Sequence, residues 1–379
     1  MASGSLDTPT PPAPTLSTAL LVERVSDAAK LPSLAQAWDQ LIDERLPGAV
    51  FRSSAWLVPW WRRFSHGKEL SVYAATSGGR LIGVLPAYRV RSPLGGQRLR
   101  LLGDAVTSDY LGVIARPGEL PLASAAIADA VLADQRDVLF EGILADDPLV
   151  AALRLSGRPS SIKLDVCPYL GLDGLPDFHR WISGRPRGLG PQLKRRRRWL
   201  ERQAGLRVEI LTAEDEIMAA LPTLWHLHRA RWAIDGGTKA LADSAVEPFH
   251  RESARELARR GWARLYVLHA DGAPRAALYG FERGGRFLYY QSGSDPNWRA
   301  RSVGTVVLSA ALEDAFLRGL TEFDFLRGNE RYKSLYTSTC RSVATLRVAT
   351  GPRAQTLWLA DRIRQVAEHA ARVALRRSV

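Results

Sequence analysis

Apolar positions recur along the chain with two different periods. Around Leu34 and Trp38 they return every three or four residues, which predicts a helix with one buried face. Residues 70–75 and 81–89 are short apolar runs, and the glycines of SGGR at 77–80 between them supply the positive φ of a tight hairpin turn. Because helical and strand patterns are mixed, we expect an α/β (α+β) protein.

The second half of the chain repeats this alternation more regularly. A hairpin turns at Asp271-Gly272, and Gly319 ends a long helical pattern. Its two hairpin strands resemble those of the first half in arrangement, which makes a duplicated domain plausible. We predict helices at 177–204, 214–233, 247–260 and 303–318, and strands at 206–211, 264–270, 276–282, 286–292 and 322–326.

The length of 379 residues fits about two domains. We predict a disordered Pro/Ser/Thr/Ala tail at 1–18, an N-terminal domain at 19–165, a C-terminal domain at 166–350 and a basic amphipathic helix at 351–379. Apolar residues of that helix step by four and three. This narrow seam predicts that it packs back on the body or pairs with a partner, and the alternative is weak contact with a membrane surface.

Charge and cysteine content narrow the function classes. The chain has 52 basic and 39 acidic residues, and all but six of the basic ones are arginine. Two interpretations of this excess of arginine are open. The arginines are either scattered over a solvated surface, or they form a surface that attracts polyanions such as phosphate-bearing cofactors or nucleic acid. Only Cys167 and Cys340 are present, so we expect neither a disulfide framework nor a metal site. Without a membrane-length apolar run or a secretory leader, we expect a cytoplasmic protein.

The segment with the clearest chemistry runs from Arg286 to Tyr336. A strand leads into a loop rich in Gly, Ser, Asn and Arg, and a helix then begins near Gly304-Thr305. Free N–H groups at a helix start bind phosphate, glycine lets the anion approach, and Arg299 and Arg301 add charge-assisted bonds. The loop lacks the endings of a Walker loop or of a dinucleotide fingerprint.

Arg301-Ser302-Val303-Gly304-Thr305 resembles the pyrophosphate loop of GNAT acyltransferases. Its surroundings, LYYQSGSDP before the helix and GLTEFDFLRGNERYKSLY after it, resemble one branch, the cellulose-biosynthesis-associated acetyltransferases of the CelD/BcsL type, relatives of the Fem-type aminoacyl transferases. LHRARW at 227–232 and LLGDAVTSDYLGVI in the first half match that branch in kind and order. The resemblance covers roughly residues 35–350.

The resemblance implies two tandem GNAT-like domains, each a mixed, mostly antiparallel sheet flanked by helices, with one acyl-CoA site in the second. Acetyl-CoA or another acyl-CoA is the implied co-substrate, and the acceptor is an unknown amine or hydroxyl. Backbone amides of Tyr289–Ser292 are the implied oxyanion donors. The predicted cofactor-binding residues are Tyr290, Ser292, Arg299, Arg301, Ser302, Gly304 and Thr305, and the predicted catalytic residues are Asp324, Arg327, Glu330, Lys333 and Tyr336.

Each catalytic candidate also has a structural interpretation. Asp324 can brace the fold by pairing with Arg327, Glu330 and Lys333 can form a solvated ion pair, and Tyr336 can be a core aromatic. His226 and His228 point to different faces of a helix, so they form no metal pair. Either of them could face a cleft as a base, although such histidines are more often structural.

Two further functions remain open at this point. A Fem-like transferase would use aminoacyl-tRNA, and the basic run Lys194–Arg198 beside Trp199 could grip its phosphates. The chain contains no recognised nucleic-acid-binding motif, so we prefer a helix that flanks the acceptor cleft. The non-enzyme alternative is a protein that binds nucleic acid or a membrane surface on a degenerate transferase fold.

Overall fold

The computed structural model describes residues 19–91, 96–104, 108–134, 136–233 and 243–349, together with positions 359 and 363. The strands in this part are β1 Leu20–Val25, β2 Lys68–Leu70, β3 Val72–Ser77, β4 Arg80–Leu85, β5 Ala87–Arg91, β6 Gln97–Leu101, β7 Ile114–Ala115, β8 Asp137–Leu144, β9 Ser160–Gly171, β10 Arg207–Leu211, β11 Ala263–Ala270, β12 Ala273–Arg283, β13 Arg286–Ser294, β14 Glu322–Asp324 and β15 Cys340–Val348. The helices are α1 Leu31–Asp39, α2 Ser54–Phe64, α3 Leu120–Ala133, α4 Pro148–Leu155, α5 Phe178–Ser183, α6 Leu189–Ala204, α7 Glu214–Ala233, α8 Val246–Arg259 and α9 Val303–Leu317.

These strands form two sheets. The larger has eleven strands in the order β10-β11-β12-β13-β14-β9-β15-β8-β6-β5-β2, and the smaller has the order β1-β3-β4-β7. Pairing is antiparallel except between β13 and β14 and between β6 and β8. Helices pack on the faces of both sheets, so the predicted α/β (α+β) architecture of mixed, mostly antiparallel sheets flanked by helices is confirmed.

The first predicted hairpin is confirmed, with Gly78 and Gly79 both at positive φ between β3 and β4. The prediction of one strand over 81–89 is wrong. Pro86 has no N–H for a ladder, and the chain divides there. β4 stays in the small sheet, whereas β5 pairs with β2 and β6 in the large one.

A cluster of aromatic side chains joins the two halves of the chain. Trp56 on α2 contacts Phe249 on α8 and Phe281 on β12, with ring centroids 4.8 and 5.3 Å apart. Trp56 and Trp60 are fully buried. Apolar burial is the main stabilising contribution to a fold. Here side chains from both halves of the chain are buried in the same cluster.

The secondary structure predicted from the sequence differs from the structure in two ways. The helix predicted over 177–204 is two helices, because Gly184 and Pro186 interrupt it. α4, β9 and β15 were missed. β9 was missed because many of its positions are half-exposed, which gives no clear strand pattern. β15 pairs with β8 and β9, which are far from it in the sequence, and no local pattern reveals such pairing.

The proposed division into two domains stays a prediction, and its boundary at 165 falls inside β9. The predicted tail at 1–18 lies outside the described residues. So does the helix at 351–379, apart from positions 359 and 363, which are helical and exposed. Among the described residues, no helix has the length and apolarity to cross a membrane.

Candidate active site

A cleft opens where β13 and β14 diverge. They pair only from Arg286–Leu288 to Glu322–Asp324, and β13 then continues to Ser294 without β14 beside it. Two adjoining cavities follow, which we call the helix lobe and the histidine lobe. The helix lobe, about 370 Å³, lies at the start of α9, and the histidine lobe, about 300 Å³, surrounds His228. Both are lined by Arg231, Tyr289, Ser292 and Tyr332.

The helix lobe contains unpaired backbone donors. Ser302, in the left-handed region at φ 54°, turns the chain into α9, and its carbonyl accepts the amides of Thr305 and Val306. The amides of Val303 and Gly304 make no hydrogen bond within the described residues. A Cβ at Gly304 would meet nothing nearer than Ser294 Oγ at 3.8 Å, so protein packing does not require a glycine there. The open space above these amides fits an anion.

Most of the predicted cofactor residues meet at this lobe. Arg299, Ser302, Gly304 and Thr305 line it. Arg301 does not: its guanidinium stacks on Trp199 of α6, 3.7 Å from the ring centroid. Arg301 therefore ties α6 to the turn before α9 and acts on the lobe only through that turn.

His228 occupies the other lobe because α7 approaches β13 unusually closely. A Cβ at Gly293 would lie 2.2 Å from the backbone nitrogen of His228, so only glycine permits this contact. His228 Nδ1 lies 2.9 Å from the carbonyl oxygen of Ser292. A carbonyl only accepts hydrogen bonds, so Nδ1 carries the proton and Nε2 is a lone-pair acceptor. Nε2 is buried and has no partner within the described residues.

The charge state of His228 follows from its surroundings. Its side chain is only 2% exposed, and burial lowers its pKa from the ordinary value. The Ser292 carbonyl opposes this effect, whereas Arg231 and Arg229 add to it. His228 is thus a neutral imidazole with a free nitrogen at the cleft, which is the state required of a general base.

β13 carries an irregularity beside this histidine. Tyr279 pairs with Gln291 and Gly280 with Tyr289, so Tyr290 is an extra residue in the strand. Such a bulge re-aims neighbouring backbone and side-chain groups. Tyr290 and Ser292 line the histidine lobe, where the sequence placed oxyanion donors on Tyr289–Ser292. Those donors stay a prediction.

The first half of the chain contributes Asp109 to the histidine lobe. Asp109 Oδ2 accepts the amide of Arg327 at 2.9 Å, and its Oδ1 lies 2.9 Å from Arg327 Nε. Asp109 is buried, which raises its pKa, and Arg327 opposes that rise. Arg327 lines the lobe but is already paired, so its guanidinium is held in place against the other half of the chain.

Asp324 lies behind the cleft and does not line either lobe. Its Oδ2 accepts the hydroxyl of Tyr110 at 2.7 Å, and its Oδ1 accepts the amide of Leu326 at 2.7 Å. Complete burial raises its pKa to about 7. These contacts favour the bracing interpretation, although the partners are Tyr110 and Arg341 and not Arg327.

Lys333 is buried against the loop that follows β14. Its Nζ donates to the carbonyls of Leu326 and Arg327 at 3.0 and 3.1 Å and lies 2.9 Å from Glu330 Oε2. With its donors occupied, Lys333 positions this loop. Glu330 and Lys333 form the ion pair considered from the sequence, but Lys333 is buried and not solvated.

Tyr336 lines the helix lobe and stacks on Phe325, with ring centroids 5.6 Å apart. Burial raises its pKa to about 12, so the hydroxyl stays protonated at neutral pH. Neither this hydroxyl nor that of nearby Ser309 makes a well-formed hydrogen bond within the described residues. The Tyr336 hydroxyl is therefore an available donor near the start of α9.

Sequence reasoning missed several residues that line the histidine lobe. They come from three separated segments, and only the fold brings these together. A partial signal existed in the LHRARW and LLGDAVTSDYLGVI motifs. The missed residues are Asp109, Arg231, Trp232, Phe325 and Tyr332, and His228 had been considered only as one of two equivalent histidines. The described part of the chain holds no cluster of three or more His, Cys, Asp or Glu suited to a metal ion.

Comparison with known proteins agrees with this geometry. The family described as acetyltransferase (GNAT) domain matches residues 191–334, the segment that contains α7, β13 and α9. A search of curated proteins returned no match.

Solved structures share the fold over most of the chain. FemX covers 86% of this chain and 98% of its own, with 11% identity and a TM-score of 0.60. L-PGS from Bacillus licheniformis covers 88% and 95%, with 14% identity and a TM-score of 0.54. A conserved protein of unknown function from Bacteroides thetaiotaomicron covers 86% and 100%, with 8% identity and a TM-score of 0.51. Residues 191–334 thus match a GNAT acetyltransferase domain, and the chain shares its overall fold with FemX over most of its length.

Proposed function

We propose that this protein is an acyl-CoA-dependent acyltransferase that moves an acyl group directly to an amine or hydroxyl. One observation carries the proposal: the adjoining lobes bring together the amides of Val303 and Gly304 and Nε2 of His228, and none of these groups has a partner among the described residues. An anion site and a base at the two ends of one cleft suit transfer from a phosphate-bearing carrier.

The residues of the helix lobe fit a diphosphate-bearing thioester. The amides of Val303 and Gly304 would hold the diphosphate, the helix dipole of α9 would favour its charge, and Arg299 would add a charge-assisted bond. The missing Cβ at Gly304 leaves room for the anion. Acyl-CoA supplies an activated acyl group, and acetyl is our proposed acyl group.

The remaining chemistry belongs to residues of the chain. His228 Nε2 removes a proton from the acceptor while the acceptor's nitrogen or oxygen forms a bond to the acyl carbon and the carbon–sulfur bond breaks. Amides of the open edge of β13 stabilise the oxyanion, and the Tyr336 hydroxyl donates to the departing sulfur. The sulfur leaves as a thiol with the proton from Tyr336, and the proton held by His228 then returns through solvent to the Tyr336 oxygen, so both residues are restored. In this scheme Asp324, Arg327, Glu330 and Lys333 position the cleft.

The test is calorimetric titration of the wild-type chain with acetyl-CoA. Gly304→Glu puts a carboxylate where the diphosphate would bind, and we expect affinity to fall at least tenfold. Gly118→Glu is the matched control, since Gly118 is exposed and a Cβ there meets nothing within 4 Å. No binding to the wild type, or equal binding by both variants, would overturn the proposal.

The assignment to the cellulose-biosynthesis-associated branch is a narrower part of the proposal. It is supported by the motifs at 227–232 and 286–336, and the choice between N- and O-acylation within it depends on the acceptor. A screen of acceptors for acyl-CoA consumption would decide between sugar, amino-acid and other amines or hydroxyls.

A second candidate is a Fem-like transferase that uses aminoacyl-tRNA. The observation that favours it is the position of α6: its basic run Lys194–Arg198 ends at Trp199, which stacks on Arg301 next to the helix lobe. Lys194 and Arg198 are exposed there. Copurification of RNA that salt removes, together with no affinity for acetyl-CoA, would favour this candidate.

A further inference from the structure

The histidine lobe contains one cation, Arg231, that has no acidic partner in the part of the chain that the structure describes. Asp109 pairs with Arg327, and Glu330 pairs with Lys333, so these four charges balance. Arg231 also lines the lobe and is exposed, and no carboxylate of the described residues forms an ion pair with it. Its guanidinium lies 5.3 Å from the centroid of the Trp232 ring. The lobe therefore offers a net positive charge to its occupant.

Arg231 and His228 are placed to act on the same molecule. They lie three residues apart on α7, so their side chains are neighbours on one face of the helix. Both line the histidine lobe. Within the described residues, Nε2 of His228 has no hydrogen-bond partner and the guanidinium of Arg231 has no ion pair. Nε2 can accept a proton from a ligand, and a guanidinium fits a planar carboxylate through two parallel hydrogen bonds.

We propose that the acceptor is a small amine that also carries a carboxylate, of the kind found in an α-amino acid. Its carboxylate binds Arg231, and its amine faces His228 Nε2. This inference rests on the proposed function and specifies its substrate class. In the reaction the amine nitrogen bonds to the acyl carbon, one N–H proton passes to Nε2 and the carbon–sulfur bond breaks, so the products are an N-acylated acid and a thiol.

The size and walls of the lobe agree with such a molecule. A volume of about 300 Å³ lies at the small end of ligand pockets and suits a single amino acid. Trp232, Tyr289, Tyr290 and Phe325 provide apolar and aromatic walls against which a side chain can pack. An aromatic or aliphatic amino acid would pack against these walls and pair its carboxylate with Arg231.

The experiment compares acids with their amides. Wild-type protein is titrated with the protein L-amino acids and with the corresponding L-amino-acid amides, which keep the amine and the size but lose the carboxylate charge. Binding is read by calorimetry and by the shift in melting temperature. We expect at least one acid to bind about fivefold more tightly than its amide, since the ion pair with the exposed guanidinium of Arg231 is lost. Equal affinity for acids and amides, or no binding of any acid, overturns the inference.

Variants then assign the carboxylate site. Arg231→Met should remove the preference for the acid, and Arg231→Lys should restore part of it. The matched control is Arg229→Met on the same helix, because Arg229 pairs with Glu247 and lies outside the lobe. If Arg231→Met keeps the preference, or weakens acetyl-CoA binding alone, Arg231 does not bind the acceptor.

A parallel titration with acetyl-CoA separates the two proposals. If the protein binds an acid but does not bind acetyl-CoA, the proposed function is wrong and the acid site is retained. Binding of acetyl-CoA together with equal affinity for acids and amides would leave the proposed function standing and remove the acid site.

Discussion

The hydroxyl of Tyr110 donates a 2.7 Å hydrogen bond to Oδ2 of Asp324, 214 residues further along the chain. Tyr110 has φ 62°, and Leu326, whose amide bonds the other oxygen of Asp324, has φ 56°. Both are non-glycine residues in the left-handed region, a conformation that costs about 1–3 kcal/mol each. One buried carboxylate thus holds two strained turns at the floor of the cleft.

We expect Tyr110→Phe to lower the free energy of unfolding by about 1–2 kcal/mol, because it leaves the buried Asp324 without its hydroxyl donor. Urea unfolding of Tyr110→Phe, Asp324→Asn and the double variant measures the coupling. A coupling energy of about 1 kcal/mol is expected, and strictly additive effects would contradict the linkage.

Asp324 should also make stability depend on pH. Its pKa is about 7 in the folded chain because of burial, well above that of an unfolded aspartate. The folded state therefore binds the proton more tightly, so this contribution is fully present below about pH 4 and is lost as the pH rises through 7. Its slope approaches about −1.4 kcal/mol per pH unit. Urea unfolding from pH 4 to 8 should show the slope in the wild type and a flatter curve in Asp324→Asn.

His228→Gln should lower kcat by about 10²- to 10⁴-fold and leave acetyl-CoA affinity unchanged, because it removes the proposed base and not the anion site. His226→Gln is the control, since His226 is exposed on another face of α7. Burial lowers the pKa of His228 below its ordinary value of 6.5. The acid limb of the wild-type pH–rate profile should therefore lie below 6.5, and a limb above that value would speak against His228.

Lys333→Met should destabilise the chain by about 3 kcal/mol, because the carbonyls of Leu326 and Arg327 and the carboxylate of Glu330 lose their cation. Thermal melting measures this loss. At a temperature where the variant is folded we expect kcat to stay within about tenfold of wild type. A complete loss of turnover in a fully folded variant would instead support the chemical role predicted from the sequence.

Arg299 and Arg301 should respond differently to removal although they are two residues apart. Arg299 lines the helix lobe, so Arg299→Ala should weaken acetyl-CoA binding about tenfold. Arg301 is stacked on Trp199, so Arg301→Ala should change stability more than affinity. Calorimetry and thermal melting on both variants check this, and the reverse order of affinities would refute it.

The features that the sequence predicted correctly are those that depend on neighbouring residues in the chain. The hairpin at Gly78-Gly79 and the start of α9 at Val303 depend on turn and helix-end chemistry that a short window contains. The histidine lobe depends on distant contacts. Asp109 meets Arg327 only because β9 and β15 join the halves, and His228 reaches Ser292 only because Gly293 lets two backbones touch.

Distant contacts also explain why Arg301 and Lys333 have partners that the sequence did not predict. Arg301 and Lys333 have the charge that chemistry near a phosphate requires, but charge alone does not show which cations already have partners. Arg301 stacks on Trp199, and Lys333 donates to backbone carbonyls. Residue spacing in the sequence predicts neither contact.

The position of β15 has a consequence for biosynthesis. This strand lies between β8 of the first half and β9, so the sheet of the first half is incomplete until residue 348 has left the ribosome. A nascent chain paused before that point exposes an open strand edge that can pair with other chains. Synthesis of β15, and not of the first half alone, therefore closes this strand edge.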